Sequence, residues 1–145
     1  MKRKPGTFDA YQMAREKGVL EGTLDVGASE RLADRVAPGD ASVSWHIEGT
    51  ADEIGRPALE ISIAGAVALT CQRCLSDFVW PVEQRTLTIL AKSEAQGDEY
   101  DAGTDHEVVV ADHLLDPAVL VEDELLLTLP FAPMHEEACA PGGVD

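Results

Sequence analysis

Two of the chain's three cysteines, Cys71 and Cys74, stand three positions apart in the stretch TCQRC at residues 70–74. A C-x2-C spacing lets one tight turn bring two sulfurs to a common centre, which is half of a tetrahedral zinc site. The other half needs two more soft or borderline donors. His135 and Cys139, in an H-x3-C spacing near the C-terminus, are the pair at a comparable spacing. Together the four would form a structural Cys3His set that ties the tail 131–145 to the turn. A redox couple uses the same spacing, but at a helix N-terminus behind a strand, where the helix dipole lowers one thiol pKa. Here strand-like sequence, FVWPV at 78–82, follows the second cysteine, and no βαβ pattern surrounds it. The third reading is that both are small reduced side chains that pack inside and shape a turn.

Other residue types that do chemistry are scattered. Glu122, Asp123 and Glu124 read as the solvated face of a helix rather than as an acid–base pair. His106 and His113 lie amid acids in loop-like sequence. No nucleophile elbow, P-loop or dinucleotide fingerprint is present. The expectation is a protein that is not an enzyme.

The elements that position the cysteine pair follow from periodicity. Thr7 is a plausible N-cap for a short amphipathic helix over 8–18, with Phe8, Tyr11 and Ala14 on one face. Residues 19–26 alternate as a strand with a thin centre at Gly22. A single helical turn is expected around Leu32, broken at Pro38-Gly39. In 42–50, Val43, Trp45 and Ile47 alternate with Ser44, His46 and Glu48, a half-buried strand with His46 on the wet side. From 58 to 70 Leu59, Ile61, Ile63, Val67 and Leu69 occupy odd positions and Glu60, Ser62 and Thr70 even ones, so a long strand is expected, kinked or bulged at Gly65. Continuing the odd set puts Cys71 on the core side at a hairpin tip. The run 78–91 would pair back, with Pro81 marking an edge or bulge.

The segment 93–107 is acidic and reads as an exposed loop, followed by a short strand at 107–112. Asp116-Pro117 opens a helix, a capping residue followed by proline at the first helical position, and Pro130 closes it. The fold expected is α+β: an antiparallel sheet of about five strands, open or closed into a barrel, with a short helix near each end.

Composition bounds the class. The 145 residues suit one domain with an ordinary 45% hydrophobic share. No apolar run approaches the ~20 residues of a membrane span, and no apolar h-region follows the basic start, so a cytoplasmic protein is expected. Lys+Arg number 11 against 27 Asp+Glu, for a net charge of −16. The balance is uneven. Five of the bases (Lys2, Arg3, Lys4, Arg15, Lys17) fall in the first 17 residues, and none follows Lys92, where 14 acids lie. Such a surface repels phosphate and attracts a basic partner.

Three segments carry a family likeness: TCQRCLSDFVWPVE at 70–83, VEDELLLTLPFAPMHEEAC at 121–139, and the acidic stretch between them. They resemble the bacterial YceD family of large ribosomal RNA subunit accumulation proteins. QMAREKGVLEGTLDV at 12–26, with Arg31-Leu32, resembles the opening of some members. The resemblance implies a single YceD-like domain over 1–145 and a cytoplasmic role in accumulation or processing of the 23S (large-subunit) ribosomal RNA. It carries over Cys71, Arg73 and Cys74, with Pro130 and Cys139 as lesser matches, and it favours a shared metal site, hence structural zinc. The partner expected is a basic ribosomal protein or a large-subunit precursor particle, met through the acidic surface with Arg73 projecting from the hairpin tip. The rival is a direct RNA-binding module. It would use Lys2, Arg3, Lys4, Arg73 and Arg85 as a local patch and Trp80 or Trp45 as stacking platforms. No membrane contact is expected.

Overall fold

A computed structural model describes residues 7–28, 32, 36–37 and 41–129. Among them the chain forms five strands: β1 (Val19–Asp25), β2 (Ser42–Ala51), β3 (Pro57–Thr70), β4 (Asp77–Ala91) and β5 (Glu107–Val110). Three α-helices accompany them: α1 (Ala10–Glu16), α2 (Glu94–Ala102) and α3 (Pro117–Thr128). The five strands make one sheet in the order β1-β2-β3-β4-β5. The first four run antiparallel as a meander, and β5 lies parallel to β4. The sheet is open and does not close into a barrel.

β3 is the central strand because its sequence buries one face along its whole length. Leu59, Ile61, Ile63, Val67 and Leu69 are all at most 2% exposed. Its pairing with β4 runs without a break from Ala58↔Ile89 to Thr70↔Asp77, so no bulge occurs at Gly65. What Gly65 provides is room: a Cβ there would stand 2.9 Å from the Ser42 carbonyl oxygen. Pro81 lies where an edge is expected, since β5 pairs only with Thr88–Ala91 and leaves the earlier part of β4 open on that side.

Two clusters of buried residues share the inner face. One gathers Val43, Ile63, Val67, Leu69 and Val82 under Val121, Leu125 and Leu129. The other gathers Ile47, Leu59, Ile61 and Leu90 under Ala10, Met13 and Ala14 of α1. α1 starts two residues later than the sequence suggests: Asp9, not Thr7, accepts from the Gln12 amide at 3.1 Å. Its buried stripe is Ala10, Met13 and Ala14, with Phe8 and Tyr11 flanking it, half-buried. Gly49 lets α1 sit directly on the β2 backbone, where a Cβ would fall 2.0 Å from the Met13 carbonyl oxygen. Phe8 and Leu115 exchange two backbone hydrogen bonds of 2.9 Å.

α3 opens as expected, with the Asp116 carboxylate accepting from the Ala118 amide at 2.9 Å. Its inner face includes Glu124, only 4% exposed, which the triad of acids in the sequence conceals. The acidic segment 93–107 is not a loop throughout. Ser93 caps α2, accepting from Gln96 N at 3.1 Å, and Gly97 lets that helix press onto Val110, Val108 and Ala91. α2 therefore covers one end of the outer face of the sheet.

The β2–β3 turn is tied to this end by a buried carboxylate. Asp52 accepts from the Arg56 amide at 2.7 Å, the Arg56 Nε at 2.6 Å and the Ile54 amide at 3.1 Å. The Arg56 guanidinium lies 4.9 Å from the Tyr100 ring centroid on α2. A second tie joins Glu53 to His106 at 3.0 Å.

Two predictions follow from this packing. Gly49→Ala displaces α1 from β2 and lowers stability by about 2 kcal/mol or more in urea denaturation; an unchanged midpoint would show that α1 is not seated there. At Asp52, burial alone raises the carboxyl pKa. The Arg56 amide and guanidinium and the Ile54 amide outweigh it and hold the pKa below the ordinary 3.8. The tie is therefore complete above pH 3.8 and is lost as pH falls through the lower folded-state value. Arg56→Ala removes about 1.5–3 kcal/mol at neutral pH, and the difference from wild type shrinks in acid.

Candidate functional site

The hairpin tip between β3 and β4 occupies residues 71–76. The Cys71 amide donates to the Ser76 carbonyl at 2.9 Å, and the Leu75 amide donates back to the Cys71 carbonyl at 2.8 Å. The chain reverses through Leu75 at φ 64°, a left-handed conformation uncommon outside glycine. Below the turn, Thr70 Oγ1 donates to Asp77 Oδ1 at 3.0 Å. This geometry turns Cys71 and Cys74 inward, 0% and 6% exposed, while Gln72, Arg73 and Leu75 face solvent. The spacing thus delivers two buried sulfur side chains within one turn. Among the described residues no group of three His, Cys, Asp or Glu side chains could hold a metal ion. His135 and Cys139 lie outside the described residues, as do Lys2, Arg3, Lys4 and Pro130.

The three residues expected to touch a partner are not brought together. Arg73 is exposed at the tip and Arg85 is exposed on the outer face of β4. Trp80 points to the inner face, packs against the buried cluster under α3 and meets Phe78 edge-to-face at 6.5 Å. Its Nε1 is buried and has no hydrogen-bond partner among the described residues. Trp45 also lies on the inner side, its indole crossing the bare backbone of Gly22, where a Cβ would meet Cζ2 at 2.5 Å. Neither indole joins the arginines in one stacking surface.

What the register assembles is the outer face. Pairing places Glu21, His46, Ser62 and Arg85 in one row across β1 to β4. The next row toward the tip is Thr23, Ser44, Ala64 and Glu83; the next row the other way contains Glu48, Glu60 and Leu87. On the middle strands Ser44, Ser62 and Ala64 are short, and they floor a shallow trough of about 570 Å³ between Glu21 and His46 on one side and Glu83 and Arg85 on the other. His46 sits between two carboxylates, Nδ1 3.0 Å from Glu21 and Nε2 3.4 Å from Glu48. Both nitrogens thereby face carboxylates and neither is presented to the Ser62 hydroxyl, so the row is not arranged as a nucleophile relay. The hydrogen bond to Glu21 is the largest influence on His46 and raises its pKa. Partial desolvation opposes, and Glu48 adds to the rise.

The sequence signals this face only in part. Alternation places His46, Ser44 and Glu48 on the wet side of β2, but only the register shows that Glu21 and Arg85 share their row. A second group escapes the sequence altogether. Glu124 is driven up in pKa chiefly by burial, with Glu107 and Asp123 adding and a hydrogen bond with Thr86 opposing. Its Oε1 is buried without a hydrogen-bond partner among the described residues.

His46 gives a test of the row. Its folded pKa lies above 6.5, so the contribution of its carboxylate contacts to stability is complete below pH 6.5 and fades as pH rises through the folded value. In Glu21→Gln the His46 NMR titration midpoint moves down toward 6.5; a midpoint that stays in place would mean the Glu21 contact is not made in solution.

A family model described as "Large ribosomal RNA subunit accumulation protein YceD" matches residues 59–143, from the start of β3 through the cysteine turn to the tail. No solved structure matches the chain. No helix among the described residues is long and apolar enough to cross a membrane.

Proposed function

The chain belongs to the YceD family, associated with large ribosomal RNA subunit accumulation, and we propose that it serves this role as a non-enzymatic binding factor. In this reading it acts in the cytoplasm and supports accumulation or processing of 23S ribosomal RNA. It does so by holding a basic ribosomal protein or a large-subunit precursor particle. The observation that carries the reading is the pairing of a net charge of −16 with a sheet whose outer face, away from α2, is bare among the described residues and bordered by carboxylates. A negative face of this kind speeds encounter with a cationic partner and disfavours contact with phosphate.

The cysteine turn is the second contact. It projects Arg73 and Leu75, the latter 62% exposed, from a tip held by two backbone hydrogen bonds. Cys71 and Cys74 supply half of a tetrahedral donor set, with His135 and Cys139 as the other half in this proposal. A zinc ion there would stiffen the tip and join the tail to it, with no catalytic part.

Purified full-length chain binds large-subunit precursor particles, and the affinity drops about tenfold or more between 50 and 200 mM salt, roughly as expected for screened surface charges. Equal binding at both salt concentrations removes the electrostatic basis, and cleavage of precursor RNA by the purified chain overturns the non-enzymatic reading. Metal analysis of reduced protein is expected to return about one zinc per chain, absent in Cys71→Ser. Equal, negligible zinc in both would leave the two cysteines as packing residues.

A further inference from the structure

We propose that the bare outer trough is the seat for a basic helix of a partner protein, one that presents Lys or Arg along its flanks and small side chains toward the sheet. This rests on the reading above and gives it a place and a partner chemistry. A sheet face, unlike a sheet edge, is not completed by adding a strand; it is covered by a helix or another layer. On the inner side that cover comes from α1 and α3. On the outer side, among the described residues, α2 covers only the end near Ala91, Val108 and Val110.

The dimensions suit one helix. β1 carries Glu21 on one side, and β4 carries Glu83 and Arg85 on the other. The two strands stand three strand spacings of about 4.8 Å apart, a span of roughly 14 Å that admits an α-helix of about 10–12 Å diameter. The floor is made of Ser44, Ser62 and Ala64, residues short enough for a helix backbone to approach closely. Toward the tip the same face becomes apolar, ending in Val79, 73% exposed, and Pro81, which provides contact area without charge.

Charge selects the occupant. Glu21 and Glu83 line the trough and Glu48 and Glu60 stand in the row at its end, against Arg85 and the His46 imidazole. Nucleic acid is repelled by this rim. A second copy of the chain brings the same rim and the same net charge of −16. A cationic helix gains at every one of these carboxylates.

The test uses the full chain and a synthetic peptide of about 18 residues, with alanine along one face at helical spacing and lysine on its flanks. Binding is read by fluorescence anisotropy and by amide NMR shifts. Wild type binds with shifts centred on Ser44, Ser62, Ala64 and Glu83. Ala64→Arg, which fills the exposed floor with a long cation, weakens binding about tenfold, a loss of about 1.4 kcal/mol. Asp98→Arg, a change of two charges rather than one but on the surface of α2, weakens it about twofold or less. A peptide of equal charge carrying two prolines, unable to form the helix, binds at least about fivefold more weakly than the parent.

Equal losses in Ala64→Arg and Asp98→Arg overturn the proposal, as does equal binding of the proline peptide. Shifts confined to residues 71–76 also overturn it. Thermal melts of both variants matching wild type exclude unfolding as the cause. Capture of large-subunit precursors separates this inference from the reading it rests on. If wild type captures them and Ala64→Arg captures them equally well, the trough is wrong and the reading stands. If wild type captures none, the reading fails.

Discussion

The alternation of side chains along β3 is the constraint on which the molecule depends. The fourteen residues of β3, paired with β4 along almost their whole length and with β2 as far as Gly65, must send every second side chain to the same side. Because Leu59, Ile61, Ile63, Val67 and Leu69 occupy that side, a slip of one residue would expose the entire set and bury Glu60 and Ser62. The register of β2 and β4 is therefore fixed from the centre outward. With it come the position of the cysteine turn at the end of the hairpin and the composition of the outer rows. α1 and α3 have only one apolar surface to cover, and both take it.

This dependence explains what can be read directly from the residues. β1, β2 and β3 fall where alternation places them, since period two is a local property, and β4 and β5 fall on the extended runs that follow. Asp116-Pro117 announces α3 through capping chemistry that needs no tertiary context. Cys71 falls on the core side because it continues the odd-numbered set. The elements that elude the sequence are those decided by contacts at a distance. α2 has a composition suited to solvent, and it is held by Gly97 against Val110 and by Tyr100 beneath Arg56, neither of which a local pattern reveals. The barrel alternative depends on whether the first and last strands meet, and β5 instead joins β4 in parallel.

The same distinction runs through the candidate site. The cysteine turn is legible because its two sulfurs are sequence neighbours. The outer trough is not, because Glu21 and Arg85 are 64 positions apart in the chain and meet one row only through two intervening strands. Glu124 shows the limit from the other direction. Three successive acids on a helix look alike in sequence, yet the rotation of α3 around Val121 and Leu125 sends the third inward. Trp80 likewise looks like an exposed aromatic beside a proline, while its strand parity directs it to the inner cluster.

The Phe8–Leu115 bridge ties the beginning of the described chain to the approach of its last helix, more than a hundred residues later. During synthesis the N-terminal turn emerges from the ribosome long before its backbone partner exists; at roughly 5–20 residues per second the wait is on the order of several seconds. The meander can assemble from neighbouring strands in that interval. The clasp that seals its opening segment belongs to the final stage of maturation.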